Sequence, residues 1–442
     1  MSNLIDLIHN TTHEERQQFI IASFTEHYGA LMENDPAAWR AKFRKMAQGP
    51  FAFYRGSVAL YYADVSRDDD PFLNEQTSRV WIQGDLHAAN FGTYMNSAGV
   101  LVFDVNDFDE AYVGPFTWDV KRLVASLALI CYDKAMSDAE IHEVVSQTAR
   151  GYVRQVARFA AGEDADFGLK LSTTEGKLHE ILQEARLLTR VGLLDRETVI
   201  VDGDRRFQSN KNTLRVDEAT RMKLESTLTE YYETIPLKKR HPEITYRLKD
   251  VARRRGLGVG SAGLPMHSLL LEGRTQALEN DIILSMKEAQ VAAPSLYIPD
   301  ENIKQYFQND GHRSAISQRA LQTHADPLLG YTTLDGHGVL VSEVSPYTAD
   351  LDWNEINDLE DMLQVVEYLG RCVAKIHCTS DDSSDQTLVP YSIEAAIHGV
   401  LDGREADFVV YMTEFGEKYG SIVRNDHLLF VDAFRNHLFA GL

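Results

Sequence analysis

The chain has 442 residues, of which 44% are hydrophobic and 25% are charged, a balance typical of a folded globular protein. Its 44 basic and 66 acidic residues give a formal net charge of −22. This charge argues against a general binder of nucleic acid or of anionic membranes, because phosphate groups would be repelled. The length exceeds that of one ordinary hydrophobic core, so we expect two or more domains or lobes.

Cysteine content and hydropathy bear on the expected compartment. The three cysteines, Cys131, Cys372 and Cys378, lack the spacing of a disulfide framework or a zinc site, which favours a reducing environment. The N-terminus lacks the basic and apolar regions of a signal peptide. No run of about 18 apolar residues occurs that would span a membrane. We therefore expect a soluble, cytoplasmic protein with neither membrane nor nucleic acid as a partner.

In chain order, the first half predicts helical blocks on either side of two short strands. Apolar residues at helical spacing predict helix over 13–47 and over 117–160. Between these blocks, "SRVWIQGD" and "GVLVFDVND" are β-type runs bounded by turn residues, so we expect two strands. A mostly helical stretch with a polar face follows over 176–237.

Hairpins and glycine turns distinguish the second half of the chain. "VIVDGDRRFQ" predicts a hairpin that interrupts the preceding helical stretch, and "YTTLDGHGVLVSEVSP" predicts a second one with its turn at "DGHG". From residue 245 onward, glycine turns alternate with β-type runs. "GHRSAISQRALQTH" and "LEDMLQVVEYLGRCVAKIHCTS" have the periodicity of helices.

This order of elements predicts an α+β chain with a small β-rich lobe inserted late in the sequence. We divide it into a helical lobe over 1–244, a β-rich lobe over 245–350, and a helical segment over 351–442 that completes the large lobe.

Carboxylates cluster around the two N-terminal strands. Asp85 precedes Asn90 by five residues, and five more carboxylates follow in "VLVFDVNDFDEAYVGPFTWD". A carboxylate at a strand end can act as a general base, and clustered carboxylates are usually balanced by a cation such as Mg²⁺. The alternative is that these acids cap turns or face solvent at a sheet edge, as single aspartates do. The clustering favours metal or phosphate chemistry.

The run "GLGVGSAG", residues 256–263, is a candidate phosphate-binding loop. It contains Gly258, Gly260, Ser261 and Gly263. A loop without side chains lets backbone N–H groups approach a phosphate, although glycine turns are also common in hairpins. Lys287 follows near the end of an apolar strand, where a solvated lysine is the alternative interpretation. Glycine loop and lysine together favour ATP binding.

Two of these stretches resemble known phosphotransferase motifs. "GDLHAAN", residues 84–90, resembles the "HGDxHxxN" catalytic loop of aminoglycoside phosphotransferases and choline kinases, except that Gln83 replaces the usual histidine. "NDFDEAYVGPFTWDVKRL" resembles the metal-binding segment and following helix of the same families. The resemblance implies that Asp85 interacts with the substrate hydroxyl and that Asn90 is a ligand of Mg²⁺.

The second metal ligand has two candidates under this resemblance. Matching the apolar strand selects Asp104, whereas the distance of 12 residues to the helix aspartate Asp119 selects Asp107. We favour Asp107 and keep Asp104 as the alternative. If the strand continued, Asp107 and Asp109 would share one face and Asp104 would lie on the other. The resemblance also implies that Asp119 is buried and braces the backbone of the catalytic loop.

The order of the motifs differs from that of the families they resemble. There, the glycine loop and lysine precede the catalytic loop, whereas here they follow it. "YLGRCVAKIHCTS", residues 368–380, resembles the helix that normally runs into the catalytic loop. The resemblance therefore implies a circularly permuted, protein-kinase-like two-lobe fold. It makes the segment from Glu343 to Ser345 the hinge at the adenine, and it leaves Lys287 without the usual helix glutamate as partner.

Nearly the whole chain also resembles a bacterial family catalogued as domain of unknown function 2252. The shared stretches are "FYRGS", "GDLHAANFG", "FDVNDFDEAYVGPFTWDVKRLVAS", "GVGSAG", "KEA" and "GRCVAKIHCTS". The resemblance implies a kinase-like protein and names no substrate. Arg55 in "FYRGS" is either an active-site contact or a structural arginine. We expect His87 to brace the loop and His377 to be packed at a helix end.

We therefore predict an ATP- and Mg²⁺-dependent phosphotransferase that phosphorylates a hydroxyl of a small-molecule or protein acceptor. The alternatives are nucleotidyl transfer on the same fold, a metal-dependent phosphohydrolase, and a degenerate kinase-like module that binds nucleotide without turnover. The acidic composition favours a cationic or neutral acceptor over nucleic acid.

Overall fold

The structure is a computed structural model, and it describes residues 3–240, 246–255, 263–322, 324–379 and 386–442. Its α-helices within those ranges are α1 Asn3–His9, α2 His13–Asn34, α3 Pro36–Met46, α4 Pro50–Gly56, α5 Val58–Val65, α6 Phe116–Asp133, α7 Asp138–Ala160, α8 Gly176–Ala185, α9 Arg190–Glu197, α10 Glu218–Thr234, α11 Glu301–Tyr306, α12 Asp310–Leu321, α13 Leu359–Thr379, α14 Ile393–Leu401 and α15 Glu405–Arg435. Its β-strands there are β1 Val80–Ile82, β2 Phe91–Met95, β3 Leu101–Val105, β4 Tyr112–Gly114, β5 Leu169–Lys170, β6 Thr198–Val201, β7 Asp204–Phe207, β8 Thr213–Arg215, β9 Leu248–Arg254, β10 Met266–Leu271, β11 Ile282–Glu288, β12 Gly330–Leu334 and β13 His337–Glu343. The mixed α+β class is confirmed.

The long predicted helices are present, but local sequence divides two of them. The block predicted over 13–47 becomes α2 and α3, because Asp35 caps the second helix and Pro36 cannot continue the first. The block predicted over 117–160 becomes α6 and α7, with a new capping box at Ser137 and Glu140.

The largest hydrophobic core combines helices from both halves of the chain. Helix α13 packs against α7, and α15 packs against α6. A Cβ atom at Gly370 would lie 2.1 Å from the carbonyl oxygen of Thr148, so glycine is required where α13 crosses α7. The C-terminal helices are therefore integral to the core that holds the N-terminal ones.

A six-stranded antiparallel sheet carries a second, smaller core. Its strand order is β12-β13-β11-β10-β9-β8, and α10 packs against it through Leu224 and Tyr231. The predicted hairpin β12–β13 is confirmed, with Asp335 and Gly336 at positive φ in its turn. The predicted hairpin β6–β7 is confirmed as well. This second core draws on residues before and after residue 245.

Two small sheets position the acidic loops. Strand β1 pairs with β4, and β3 lies between β2 and β5. Strands β1 and β3 coincide with the two predicted strands, whereas the sequence analysis did not anticipate β2. Within the described residues, no helix is both long and apolar enough to cross a membrane.

Candidate functional site

A cleft of about 730 Å³ lies between the six-stranded sheet and the acidic loop that follows β3. Strand β11 contributes Ser285 and Lys287, and β13 contributes Ser342 and Glu343. The opposite wall includes Asn106, Asp107, Phe108 and Asp109 of the acidic loop, with Gly92 to Ser97 beside it. The volume lies within the range of small-molecule sites.

The acidic loop leaves the strand earlier than the sequence analysis expected. Strand β3 ends at Val105, and Asp107 has a φ of 54°, so the assumption of a continued extended strand is wrong. A turn, rather than strand alternation, directs both Asp107 and Asp109 to the cleft. The Gln83 side chain stabilises this turn, because its Nε2 donates to the carbonyl oxygens of Asn106 (3.0 Å) and Asp107.

Lys287 reaches across the cleft to the acidic loop. Its Nζ donates to Oδ2 of Asp109, which lies 178 residues away in sequence. Burial raises the pKa of Asp107 to about 6, and repulsion from Asp109 adds to this although Lys287 opposes it. The Asp107 side chain is exposed to the cleft. The protein that surrounds the cleft nevertheless removes enough water from its carboxylate to raise the pKa. Two carboxylates face one ammonium, which leaves negative charge for a second cation.

Asp104 lies on the other side of β3. Its carboxylate pairs with Lys375 and accepts a hydrogen bond from Sγ of Cys372 at 3.2 Å, both on α13. It is absent from the cleft wall. Of the two candidate metal ligands, the fold therefore brings Asp107 to the cleft and ties Asp104 to a helix.

Asp119 braces the loop that precedes Asp85, as the resemblance implied. Its carboxylate accepts from the backbone N–H groups of Gln83 (2.6 Å) and Gly84 (3.0 Å). His377, at the end of α13, contacts the same carboxylate at 3.3 Å and is fully buried, as expected for a packed helix-end histidine. The buried Asp119 carboxylate therefore has three partners, namely two backbone N–H groups and the His377 ring.

The loop then places Asp85 and Asn90 side by side. Asn90 Nδ2 donates to the Asp85 carbonyl oxygen at 2.8 Å, and the Asn90 carbonyl oxygen accepts from the Asn106 N–H at 3.0 Å. Neither residue lines the cleft itself. Asp85 is nevertheless close enough to the acidic loop for its charge to raise the pKa of Asp107.

Arg122 holds the Asp85 carboxylate, and the sequence analysis did not identify it. The Nε of Arg122 donates to Oδ1 of Asp85 at 2.6 Å. Burial raises the pKa of Asp85 to about 7 despite this guanidinium, and Glu110 contributes to the increase. One signal was available: Arg122 follows Asp119 by three residues on an apolar helix, so both point to the same loop. His87 lies 3.8 Å from Asp85 and accepts from the Ala89 N–H.

The other predicted nucleotide-site residues have mixed outcomes. Gly258, Gly260 and Ser261 lie outside the described residues. Gly263 has a φ of 80° and adjoins Trp39 of α3. Glu343 lines the cleft, but its carboxylate pairs with Arg190 at 2.6 Å.

Helix α12 contacts the acidic loop through arginine, another contact that the sequence analysis missed. Arg313 donates to the carbonyl oxygens of Asp109 (2.8 Å) and Ala111 (2.7 Å). Glu288 faces His337, away from the cleft, as expected for the neighbour of Lys287 on a strand. Lys287 thus finds its acidic partner in the acidic loop.

Gly84 provides a stability test of the loop geometry. At its φ of 85°, a Cβ atom would lie 2.0 Å from the Glu110 carbonyl oxygen, whereas Gly99 has a φ of 75° and no atom within 4 Å of that position. We expect Gly99→Ala to cost about 1 kcal/mol from backbone strain alone and Gly84→Ala at least about 3 kcal/mol. Urea unfolding of both variants measures the difference. Equal losses would mean that the two loops are not packed as described.

Comparison with known proteins gives a family. Neither the curated proteins nor the solved structures contain a significant match to the chain. A family model described as "Uncharacterized protein conserved in bacteria (DUF2252)" matches residues 34–433, a range that runs from the start of α3 into the last turn of α15. The chain therefore belongs to this bacterial family, as its motifs predicted.

Proposed function

We propose that the protein is an ATP- and Mg²⁺-dependent phosphotransferase with a circularly permuted, kinase-like fold. The observation that carries the proposal is the contact between Lys287 and Asp109. A lysine on an apolar strand of an antiparallel sheet meets the acidic loop across a cleft, which is the charge arrangement that phosphoryl transfer requires. If the aspartates of the acidic loop only faced solvent, nothing would require Lys287 to point into the same cleft.

The cleft offers a consistent orientation for a nucleotide. The segment from Glu343 to Ser345 lines one wall, and its backbone is fixed by the hydrogen bond from Val344 N to the Ile283 carbonyl oxygen at 2.8 Å. We assign this segment to the adenine and Lys287 to the phosphates. The triphosphate would then extend toward Asp107.

The donor set fits Mg²⁺. Asp107 and Asn90 would hold the ion, which when bound neutralises charge on the phosphate oxygens. Within the described residues, no three or more His, Cys, Asp or Glu side chains are close enough together to hold a metal ion by themselves. Two protein oxygens are compatible with Mg²⁺, because this ion commonly keeps waters and substrate phosphates as its other ligands. The excess negative charge beside Lys287 is the observation that favours a cation here.

Asp85 would orient the acceptor and take its proton. The acceptor hydroxyl oxygen forms a bond to the γ-phosphorus while the bond to the bridging oxygen of ADP breaks, and the hydroxyl proton passes to the Asp85 carboxylate. A pKa of about 7 suits such a group, since it can be ionised before the step and protonated after it near neutral pH. Arg122 holds the carboxylate in one orientation.

The permutation has its own support. Helix α13 carries "GRCVAKIHCTS", and its His377 contacts Asp119, the acid that braces the catalytic loop. This helix, which resembles the one that normally runs into the catalytic loop, is therefore packed beside that loop, although it follows the loop by nearly 300 residues in sequence. Packing of both chain ends in one core is compatible with permutation.

Nucleotide binding tests the proposal. We expect Lys287→Met to weaken ATP·Mg²⁺ binding by a factor of ten or more in calorimetry, because a charge-assisted contact to phosphate is lost. The exposed Lys304→Met is the matched control and should bind as the native protein does. Stabilisation of the protein by Mg²⁺ without nucleotide would instead favour the phosphohydrolase. Equal affinities of Lys287→Met and Lys304→Met for ATP·Mg²⁺ would contradict the proposal.

The module that binds nucleotide without turnover is the second candidate. The ion pair between Arg122 and Asp85 favours it, because the guanidinium occupies the carboxylate and opposes the rise in its pKa. Incubation with ATP labelled at the α- or γ-phosphate separates the candidates. Transfer of the γ-label supports phosphoryl transfer, transfer of the α-label supports nucleotidyl transfer, and binding with no transfer of either supports the module.

A further inference from the structure

Arg313, on α12, connects three segments that meet beside the cleft. The residue is 2% exposed, and its Nε donates to Oδ1 of Asp310 on the same helix at 3.1 Å. Its Nη1 donates to the carbonyl oxygen of Ala111 at 2.7 Å. Its Nη2 donates to two further carbonyl oxygens, those of Asp109 and Gln290, both at 2.8 Å. One buried guanidinium therefore ties α12 to the acidic loop and to the chain that leaves strand β11.

The acidic loop and this chain segment carry the charged groups that face each other in the cleft. Asp109 supplies the carboxylate that contacts Lys287, and Gln290 follows Lys287 by three residues. A further hydrogen bond joins the same two segments, because Oε2 of Glu110 accepts from the N–H of Ala293 at 2.6 Å. The two walls of the cleft are therefore joined at the end where the lysine lies, and the guanidinium contacts both of them.

A second arginine on α12 makes similar bonds away from the cleft. The Nη2 of Arg319 donates to the carbonyl oxygens of Thr234 (3.1 Å) and Leu329. Its acceptors lie outside the cleft wall, whereas those of Arg313 include the residue that contacts Lys287. The same kind of bond thus serves packing in one case and reaches the candidate site in the other.

We propose that Arg313 is a positioning residue, which holds Asp109 opposite Lys287 and thereby fixes where the lysine meets the nucleotide phosphates. This inference rests on the phosphotransferase proposal and adds a residue to its machinery. Helix α12 acts on the lysine through the backbone of the acidic loop, since Asp109 is the acid that contacts it. A displacement of about 1 Å at such a site is enough to impair it strongly.

A double-mutant cycle on the affinity for ATP·Mg²⁺ tests this role. Arg313→Lys keeps the charge but replaces the guanidinium fork by one ammonium, which cannot bond all of the same carbonyl oxygens. We expect this change to weaken binding about tenfold in the native protein and less than about twofold in the Lys287→Met background, where the contact that it supports is already lost. Equal factors in both backgrounds, or no weakening in the native protein, would overturn the inference.

Arg319→Lys is the matched control, because it makes the same substitution on the same helix. It should leave the affinity for ATP·Mg²⁺ unchanged. A loss as large as that in Arg313→Lys would mean that any disturbance of α12 weakens the site, and would overturn the inference. Melting temperatures show whether each variant folds, and Arg313→Gln, which leaves no charge buried there, repeats the cycle if Arg313→Lys does not fold.

The reactivity of Lys287 toward acetic anhydride provides a readout that needs no nucleotide. Burial favours the neutral amine, but Asp109 and Asp107 outweigh it and raise the pKa of Lys287 above its ordinary value. Because only the neutral amine reacts, loosening of Asp109 in Arg313→Lys should increase the labelling rate of Lys287 at least about fivefold. An unchanged rate would contradict the positioning role.

Trace labelling followed by mass spectrometry measures this rate, with the exposed Lys304 as the internal reference. Arg319→Lys should label as the native protein does. The two proposals can fail separately. If Lys287→Met does not change the affinity for ATP·Mg²⁺, the phosphotransferase proposal fails, and the labelling rate still decides whether Arg313 positions Asp109.

Discussion

Asp85→Asn should lower ATP-dependent phosphoryl transfer by about a thousandfold while changing the affinity for ATP·Mg²⁺ by no more than about twofold. Asparagine cannot accept the proton of the acceptor hydroxyl, so the loss falls on the chemical step. Nucleotide affinity persists because Asp85 lies outside the wall of the cleft that contains Lys287. The variant thus separates catalysis from nucleotide binding.

The pH dependence gives this prediction a second readout. The pKa of Asp85 is raised to about 7, chiefly by burial, and only its ionised form accepts a proton. In the native protein, the rate should rise with pH through about 7 and level off above it. Asp85→Asn should lack this limb, whereas the exposed Asp69→Asn should retain both rate and profile. Native-like activity with an unchanged profile in Asp85→Asn would remove Asp85 from the chemistry.

Asp119→Asn should lower the free energy of unfolding by about 3–5 kcal/mol. The Asp119 carboxylate is fully buried and accepts from two backbone N–H groups and from His377. An amide offers only one oxygen, and its NH2 group would face a donor. Some of these N–H groups would then be buried without an acceptor, which is costly.

Urea unfolding measures this loss, with Asp133→Asn on the same helix as the control. Asp133 is exposed, so its change should stay within about 0.5 kcal/mol. Asp119→Asn should also speed hydrogen exchange at Gln83 and Gly84, whose N–H groups lose their acceptor. Unchanged stability together with unchanged exchange would show that Asp119 does not hold the catalytic loop.

Much of the local structure could be predicted because local rules determine it. The two hairpins follow from Asp-Gly turns at positive φ. The break before α7 was not predicted, although its signal, the capping box of Ser137 and Glu140, is local. Strand β2 was missed because "FGTYM" contains a glycine, which is depleted in strands, and acquires its strand character by pairing with β3. Its register, with Gly92 opposite Asp104, depends on tertiary packing.

The candidate site was predictable only where its parts are close in sequence or match a motif. Gln83 could be identified as a departure from the motif, but its bonds to Asn106 and Asp107 required the fold. Arg313 reaches the acidic loop from a helix 204 residues further along the chain, and no local pattern distinguishes it from a structural or solvated cation. The contact between Lys287 and Asp109 likewise depends on how the sheet docks onto the loop.

A crystal structure with a non-hydrolysable ATP analogue and Mg²⁺ tests the central claim most directly. Our account predicts the triphosphate beside Lys287, the metal on Asp107 and Asn90, and the adenine against the segment from Glu343 to Ser345. A nucleotide bound outside this cleft, or a metal held away from Asp107 with Lys287 directed elsewhere, would contradict it.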